Sequence, residues 1–347
     1  MKSIRDKRIL IIGGTGSLGK TLIRRLIKDN KVCVFSRDES KHWTIRNEMS
    51  HKNLTFFVGD VRDKSRCLES ILTFKPSHII LAAALKHVDV CENSPLESLK
   101  TNTLGVNNIV DIVKENESIQ SFVESVLMVS TDKACSPINV YGMCKSIAER
   151  IVTSASSLPI STKFIAVRYG NVLESRGSII PLFKYQSENC DNITITDDRM
   201  TRFVMTLDES VDLITTAINN GKSGETWVPK LPSMRIKDLA KIFSRLSNNK
   251  PILSIGIKPG EKLHEDLINF SESMRTRKIG KYLVISSAFT VPFCEDVHVM
   301  RSDDNLMSID ALEEYLTGLG ILKKPTSQFI GKSIEEIGVS NLPTPEE

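Results

Sequence analysis

The N-terminal stretch constrains the possible folds more than any other part of the sequence. Residues 8–12 are apolar and predict a buried strand, and an amphipathic helix is expected to run to about Asp29. Between them lies a glycine-rich loop, which lets the backbone turn tightly and approach a pyrophosphate at the helix N-terminus. A tight turn without a ligand is the alternative, but strand, loop and helix occur together and favour a dinucleotide-binding unit. The residues expected to contact the dinucleotide here are Gly13, Thr15, Gly16, Ser17, Leu18 and Gly19.

Predicted strands and helices alternate regularly up to about residue 170, which is typical of an α/β protein with a parallel sheet. The further predicted strands cover residues 32–35, 54–58, 78–84, 125–129 and 163–168. The alternation then stops, so we expect a domain boundary near this point. Beyond it, residues 258–265 are predicted to open a helix, and the tail, residues 341–347, is expected to be disordered.

The composition is that of a soluble globular protein, since 40% of the 347 residues are hydrophobic and 25% are charged. The net charge of +4 is spread along the chain rather than clustered, which argues against nucleic-acid binding. The seven cysteines lack metal-ligand spacing and, with a charged N-terminus unlike a signal peptide, point to reduced thiols in the cytoplasm. No stretch approaches the roughly 20 apolar residues that span a bilayer, so we expect no membrane span. Because the cysteines lack metal-ligand spacing, we also expect no metal site.

Polar residues follow the second predicted strand, where Rossmann-type sheets discriminate between dinucleotides. An NAD-selective site usually carries a carboxylate there, which accepts a hydrogen bond from the ribose 2′-hydroxyl. Here Ser36 and Arg37 come first and Lys41 follows, and such a set of donors suits a 2′-phosphate. We therefore expect NADP as the cofactor. NAD is the alternative because Asp38 is close by, and Arg37 is otherwise a solvated loop charge.

The ends of the third and fourth strands supply further candidates. Asp60 either accepts from an adenine amino group or caps the next helix. Small side chains after the fourth strand would let the cofactor lie across the sheet edge. Asn102, in a predicted helix, is either close to the cofactor or a polar core residue. The candidate cofactor contacts in these segments are Asp60, Val61, Ala82, Ala83, Ala84, Lys86 and Asn102.

The strongest candidate for a catalytic site follows the strand at residues 125–129. This strand ends in Ser-Thr-Asp-Lys, residues 130–133, at the carboxyl edge where open α/β sheets bind ligands. A helix then carries Tyr141 and Lys145, which are four residues apart and share one face. A lysine ammonium beside a phenol lowers the pKa of the tyrosine from about 10, which suits a base near neutrality. A solvated helix face and a surface ion pair are the alternatives, and the two motifs together favour catalysis.

The glycine-rich loop, Tyr141 and Lys145 together resemble the extended short-chain dehydrogenase/reductase family, over about residues 5–290. Within that family the sequence is similar to UDP-N-acetylglucosamine 4,6-dehydratases, particularly the inverting, C5-epimerising branch. The pair Asp132-Lys133 is the most informative, since dehydratases of plain glucose nucleotides typically carry Asp-Glu there. The matching segments are residues 35–39, 59–63, 82–87, 130–134, 168–172, 199–203 and 260–265.

The resemblance implies an α/β fold, in which a Rossmann-type doubly wound parallel sheet is joined by a smaller α/β C-terminal substrate domain. It implies an NADP-binding domain in residues 1–172 and a nucleotide-sugar-binding domain in residues 173–290, some segments of which return to the Rossmann sheet. Residues 291–347 would form a C-terminal extension. The family also tends to form homo-oligomers.

The chemistry implied by the resemblance is a redox-neutral dehydration of UDP-N-acetylglucosamine, an early step towards deoxy-amino sugars of surface glycans. Tyr141 would take the proton of the sugar 4-hydroxyl, which Thr131 also contacts, while hydride leaves C4 for the cofactor. Lys133 would then remove the C5 proton and Asp132 protonate the departing 6-hydroxyl, before hydride returns to C6 and C5 is inverted. The residues implied in substrate binding are Lys86, His87, Asn171, Arg176, Ser178, Arg202, Lys258 and Glu261.

Other functions stay open at this point. A dehydratase that retains the C5 configuration and a nucleotide-sugar 4-epimerase use the same kind of fold. A lone histidine such as His87 is more often a structural residue or a binding contact than a catalyst. A catalytically silent dinucleotide-binding protein is a third alternative, although such a protein would be expected to lose Tyr141 or Lys145, and both are present.

Overall fold

The computed structural model describes residues 4–175, 177–289 and 299–322 of the chain. Two compact units can be distinguished, and three chain segments contribute to each. The first unit comprises the described residues up to Tyr169, then Asp208–Lys230, and the described part of Asp266–Met300. The second comprises Gly170–Leu207, Leu231–Glu265 and the described residues from Arg301 onwards.

The described residues form strands and helices that are numbered here in chain order. The strands are β1 (Arg8–Ile12), β2 (Lys31–Ser36), β3 (Leu54–Val58), β4 (His78–Leu81), β5 (Ser125–Val129), β6 (Lys163–Val167), β7 (Asn171–Val172), β8 (Ile193–Ile195), β9 (Thr201–Met205), β10 (Thr226–Pro229), β11 (Ser233–Arg235), β12 (Ile252–Ser254), β13 (Asp266–Ile268), β14 (Thr276–Ile279), β15 (Tyr282–Ile285) and β16 (Met300–Arg301). The helices are α1 (Ser17–Leu26), α2 (Glu39–Glu48), α3 (Lys64–Phe74), α4 (Val88–Asn93), α5 (Pro95–Leu99), α6 (Gly105–Glu115), α7 (Glu117–Gln120), α8 (Val140–Ser154), α9 (Ile179–Asn189), α10 (Leu207–Asn220), α11 (Ile236–Leu246), α12 (Phe270–Ser273) and α13 (Ile309–Gly318).

The first unit is built on a nine-stranded sheet with the order β14-β15-β10-β6-β5-β4-β1-β2-β3. From β3 to β10 all neighbours pair in parallel, and β15 runs antiparallel to both β10 and β14. The strand order reverses between β1 and β4, and in such sheets ligands bind at the carboxyl ends of the strands beside this reversal. The predicted Rossmann-type doubly wound parallel sheet is therefore confirmed.

Continuous apolar runs explain why the central strands are buried on both faces. In β1, the four residues from Ile9 to Ile12 are at most 1% exposed, and β4 and β5 are similarly apolar. Their side chains pack with those of α3, α6 and α8 in one hydrophobic core. Such runs are typical of parallel sheets, whose two faces are both covered by helices.

A buried ion network ties the returning segment of the first unit to the sheet and to α8. Arg168, directly after β6, donates to Glu149 at 3.0 and 2.5 Å, to Glu272 at 2.7 and 2.8 Å, and to the Leu267 carbonyl at 2.9 Å. The three charged side chains are at most 5% exposed. Burial alone would raise the pKa of Glu272, but the charge and hydrogen bonds of Arg168 outweigh it and lower this pKa to about 2.

The second unit contains a three-stranded sheet, β11-β9-β7, and a two-stranded parallel sheet, β12-β8. Helices α9, α11 and α13 pack on them around a separate apolar cluster, in which Phe183 and Phe243 meet edge to face at 5.9 Å. The prediction of a helix opening at residues 258–265 is wrong. The Leu263 carbonyl instead accepts from the Thr201 N–H of β9 at 2.9 Å, and the Glu261 carboxylate accepts from the Lys258 N–H at 3.1 Å.

None of the helices in the described residues combines the length and the apolar character that crossing a bilayer requires. The described residues also contain no group of three or more histidine, cysteine, aspartate and glutamate side chains that could ligate a metal ion.

The buried network predicts a large stability cost for Arg168→Met, because the substitution leaves two buried carboxylates without their cation. We expect the free energy of unfolding, measured by urea denaturation, to fall by about 3–5 kcal/mol. Arg25→Met is the matched control, since Arg25 is 44% exposed and pairs with Asp208 and Asp212 at the surface. It should cost less than about 1 kcal/mol. An equal loss of unfolding free energy in both variants would contradict a stabilising role for the buried Arg168 network.

Candidate active site

The glycine-rich loop between β1 and α1 packs against the backbone that follows β4. Gly13 has φ +85°, a conformation that favours glycine, and its N–H donates to the Phe35 carbonyl at 2.8 Å. A Cβ at Gly13 would overlap with the backbone of Ala83, and a Cβ at Gly19 would overlap with the backbone of Gly14. These two positions therefore admit no side chain.

The N-terminus of α1 is suited to an anion. Among the described residues, no side chain caps this helix at Gly16, and its first turn contains no acidic residue. A Cβ at Gly16 would meet nothing nearer than the Gly13 carbonyl oxygen, 3.9 Å away. Backbone N–H groups and the helix dipole at such an end favour a diphosphate. The predicted contacts Thr15, Ser17 and Leu18 belong to the same turn, so the residues present fit the diphosphate of a dinucleotide.

The end of β2 carries the groups predicted to select the dinucleotide. Asp38 caps α2, because its carboxylate accepts from the Lys41 N–H at 3.0 Å and pairs with the Lys41 ammonium at 2.5 Å. Hydrogen bonds from Lys41 accordingly lower the pKa of Asp38. Arg37 is 57% exposed, and its guanidinium lies 3.7 Å from Asp60. The carboxylate nearest in sequence to the end of β2 is thus committed to a helix cap, while Ser36 and Arg37 remain at the strand end as candidate donors.

Asp60 is held by arginines rather than by a helix end. Its carboxylate accepts from Arg62 through the backbone N–H at 3.0 Å and through Nε at 2.9 Å. Burial acts to raise the pKa of Asp60, but hydrogen bonds from Arg62 and the charge of Arg37 lower it overall. The alternative that Asp60 caps the next helix is wrong, because Asp63 caps α3. Val61 is buried, and a Cβ at Gly105 would come within 2.7 Å of its side chain.

The segment after β4 is fixed by Asn102. The Asn102 amide accepts from the Leu85 N–H and donates to the Leu85 carbonyl, both at 2.9 Å. Asn102 is fully buried and lies in a π-helical turn, Lys100–Leu104, between α5 and α6. Such turns are frequent at functional sites. Asn102 therefore shapes the backbone around the predicted contacts Ala82, Ala83, Ala84, Lys86 and His87.

The loop after β5 brings together the predicted acid and base. Asp132 is 1% exposed, and its Oδ1 accepts from the Thr131 hydroxyl at 2.9 Å, the Lys133 N–H at 2.9 Å and the Lys133 ammonium at 3.2 Å. Its own N–H donates to the Tyr169 carbonyl at 2.9 Å. Asp132 and Lys133 therefore form a largely buried ion pair, and the alternative of a surface pair is wrong.

Helix α8 presents Tyr141 and Lys145 beside this loop. Asn139 caps the helix by accepting from the Gly142 N–H at 2.7 Å. The Lys145 ammonium donates to the Val129 carbonyl at the end of β5, at 2.6 Å. Both Tyr141 and Lys145 are buried, at 8% and 3% exposure, so the alternative of a solvated helix face is wrong.

The predicted lowering of the Tyr141 pKa is wrong for the groups that the chain itself supplies. Burial raises this pKa to about 12, and Asp132 acts in the same direction. The charge of Lys133 and a hydrogen bond with Thr131 act to lower it. Burial lowers the pKa of Lys145 to about 8, against the opposing charge of Glu149. The protein alone thus holds Tyr141 as a neutral phenol at neutral pH.

The remaining predicted substrate contacts belong to the second unit. Asn171 lies in β7, Ser178 precedes α9, and the Asn171 Oδ1 and Ser178 Oγ atoms are buried without a hydrogen-bond partner among the described residues. Arg202, in β9, is 8% exposed and donates to the carbonyls of Thr201 at 2.7 Å and Leu263 at 3.2 Å. Lys258 and Glu261 form the turn described above. Arg176 lies outside the described residues.

Sequence reasoning missed two features that shape the site. Gly142 directly follows Tyr141 in α8, and a Cβ at this position would overlap with the Lys133 carbonyl oxygen. A glycine inside a predicted helix was the available signal. The other feature is the Arg168 network, whose three charged residues are scattered in sequence and gave no local signal.

A protein family described as "Polysaccharide biosynthesis protein" matches residues 9–287 of the chain. The chain belongs to this family. The fold implied by the resemblance to extended short-chain dehydrogenases/reductases is likewise confirmed.

Proteins that are similar to this chain carry different names. A Campylobacter jejuni protein named UDP-N-acetylglucosamine 4,6-dehydratase (inverting) is 38% identical over 314 residues, which cover 89% of this chain and 88% of that protein. A Rickettsia typhi protein named UDP-glucose 4-epimerase is 37% identical over 286 residues, covering 80% and 82%. The X-ray structure of Pen from Bacillus thuringiensis is 34% identical, with a TM-score of 0.84, and covers 91% of this chain and 99% of Pen.

The contact at Gly142 predicts that Gly142→Ala destabilises the protein, because the Lys133 carbonyl must move away from the added methyl group. We expect the free energy of unfolding in urea to fall by about 1–3 kcal/mol. The control is Gly318→Ala in α13, another helical glycine, where a Cβ would meet nothing within 4 Å. That variant should be unchanged or stabilised by up to about 1 kcal/mol. An unchanged free energy of unfolding in Gly142→Ala would contradict the close contact with the Lys133 carbonyl.

Proposed function

We propose that the protein is a UDP-N-acetylglucosamine 4,6-dehydratase that inverts C5, giving UDP-2-acetamido-2,6-dideoxy-beta-L-arabino-hex-4-ulose. The observation that carries the proposal is the ion pair of Asp132 and Lys133, buried at the carboxyl end of β5 beside Tyr141. An acid and a base on adjacent residues supply what an elimination needs, in addition to the tyrosine and lysine that suffice for oxidation of an alcohol. The Campylobacter jejuni relative bears the name of the same activity.

The proposed cofactor is NADP. The loop from Gly13 to Gly19 would hold its diphosphate at the N-terminus of α1, and Ser36 with Arg37 and Lys41 would hold its 2′-phosphate. When bound, it supplies reversible oxidation at the sugar C4 and reduction at C6. NAD is disfavoured because Asp38, the carboxylate that follows β2 most closely in sequence, is already occupied as the cap of α2.

In the first step, Tyr141 takes the proton of the sugar 4-hydroxyl. Since burial holds Tyr141 as a neutral phenol, it must first lose its own proton to solvent and act as the phenolate, which neighbouring cations stabilise. The chain supplies Lys133 for this, and the ammonium of Lys145 is anchored at the Val129 carbonyl nearby. Thr131, which also interacts with Tyr141, is proposed to hold the same substrate oxygen.

In the elimination step, Lys133 must act as a neutral amine and Asp132 as a neutral acid. Their contact of 3.2 Å provides a route, because transfer of one proton from the Lys133 ammonium to the Asp132 carboxylate makes both groups competent. Lys133 then accepts the proton from C5, and Asp132 donates its proton to the departing 6-hydroxyl, which leaves as water. The original ion pair is thereby restored, and the protons balance.

Inversion requires that C5 be reprotonated by a solvent-derived proton, on the face opposite to the one that lost its proton. A dehydratase that returned the proton from Lys133 to the same face would retain the configuration instead. The name of the Rickettsia typhi relative favours a second candidate, a nucleotide-sugar 4-epimerase. An epimerase has no elimination to catalyse, so the buried Asp132–Lys133 pair would have no chemical task in it.

Substrate binding by the second unit stays a proposal. Asn171 and Ser178 are suited to it because each has a buried oxygen without a partner among the described residues. Arg202 brings a cation for a diphosphate, and Lys258 and Glu261 lie in a turn with donors and acceptors. Lys86 and His87 are the proposed substrate contacts of the first unit.

The proposed function is tested by incubating the protein with UDP-N-acetylglucosamine and NADP in deuterated water and analysing the product by NMR. We expect a 4-keto-6-deoxy sugar with deuterium at C5 and inverted configuration. Retained configuration would identify the retaining dehydratase, and simple formation of the 4-epimer would contradict dehydration altogether. Tyr141→Phe should slow the reaction by about 100-fold to 10,000-fold. Tyr185→Phe, a matched change in α9, should leave it unchanged.

A further inference from the structure

A histidine contacts the residue proposed to bind the 2′-phosphate of the cofactor. The Nε2 atom of His42 lies 2.7 Å from the Oγ atom of Ser36. Ser36 is the last residue of β2, and His42 is in α2, which starts three residues after that strand. Neither the proposed reaction nor the family motifs above give His42 a role.

The His42 ring is fixed in place by its surroundings. It is 4% exposed and packs against Phe56 of β3, with ring centroids 5.0 Å apart, and Arg46 lies over the same Phe56 ring. Burial lowers the pKa of His42, although Asp38 and Glu39 act to raise it and Arg46 lowers it further. The ring is thus a neutral imidazole at neutral pH, with one N–H group and one acceptor nitrogen.

The direction of this hydrogen bond decides what Ser36 can offer a ligand. If the His42 Nε2–H donates to Ser36 Oγ, the hydroxyl proton of Ser36 is left to donate to a phosphate. If Nε2 accepts, the proton of Ser36 is used up, and its oxygen can only accept from a ribose hydroxyl. The same contact therefore favours either a phosphorylated or an unphosphorylated dinucleotide.

The neighbouring groups favour the first direction. The Asp38 carboxylate is occupied by the Lys41 backbone and side chain, so it is committed to the protein rather than to a ribose hydroxyl. Arg37, 57% exposed at the same strand end, adds a cation. A Ser36 hydroxyl that donates completes a set of donors around a single anionic group.

We propose that His42 is a positioning residue that sets the preference for a 2′-phosphorylated dinucleotide, by donating to Ser36 so that the Ser36 hydroxyl donates to the 2′-phosphate. This inference rests on the dinucleotide site of the proposed function. It assigns a selectivity role to the pair of Ser36 and His42, rather than to the strand-end residues alone.

The test compares the dissociation constants of NADP and NAD by isothermal titration calorimetry. His42→Phe keeps a flat ring against Phe56 but removes the donor, so NADP should bind about tenfold more weakly, with NAD unchanged. Ser36→Ala should have the same effect, and the double variant should lose no more than either single variant. His42→Gln, which retains an N–H donor, should preserve most of the NADP preference. His51→Phe, a surface histidine, is the control.

Each other outcome overturns the inference. Tighter NADP binding by His42→Phe would show that His42 accepts from Ser36. Equal weakening of NADP and NAD would show a structural role only, as would additive losses in the double variant. A wild-type protein that bound neither dinucleotide would overturn the proposed function as well. Tight NADP binding with an unaffected NADP-to-NAD ratio in His42→Phe would overturn the inference alone.

Discussion

The close contact between the loop after β5 and helix α8 is the constraint on which the site depends. The Lys133 carbonyl occupies the space where any side chain at position 142 would begin, so the loop and the helix approach as nearly as backbones can. The Lys145 ammonium adds a hydrogen bond to the last residue of β5. The loop directly after β5 and helix α8 thereby carry the proposed base, the proposed acid and the residues that modulate them, held close to one another.

Charges in and near this region are arranged in opposite pairs. Asp132 faces Lys133, and Arg168 lies between Glu149 and Glu272. Buried charges are tolerated only when they are paired and hydrogen-bonded, and these two groups of residues meet both conditions. The arrangement also suits the proposed chemistry, because an ion pair at 3.2 Å can exchange a proton and so reach the neutral forms that the proposed elimination requires.

Much of this could be predicted from local sequence patterns. The glycine-rich loop, the alternation of strands and helices, and the spacing of Tyr141 and Lys145 all act over a few residues, and each appears where it was expected. The direction of the Tyr141 pKa was not predictable, because it depends on burial, which the whole fold determines.

Other features depended on partners distant in sequence. The role of Arg168 required residues up to 104 positions away. The segment at residues 258–265 does not form a helix, although its composition allowed one. Its Leu263 carbonyl instead accepts a hydrogen bond from the Thr201 N–H of β9. Asp63, not Asp60, caps α3. Both aspartates follow the same strand, and only the path of the backbone decides which of them caps the helix. His42 carried no motif at all.

Asp132 and Lys133 are proposed to act as one unit in the elimination, and a double-mutant cycle tests this coupling. The rate of product formation from UDP-N-acetylglucosamine is measured for Asp132→Asn, Lys133→Met and the double variant, with Lys114→Met as a surface control. If the two residues exchange a proton, either single substitution abolishes both roles, and the double variant should be no slower than the single variants. Losses that multiply in the double variant would contradict the account.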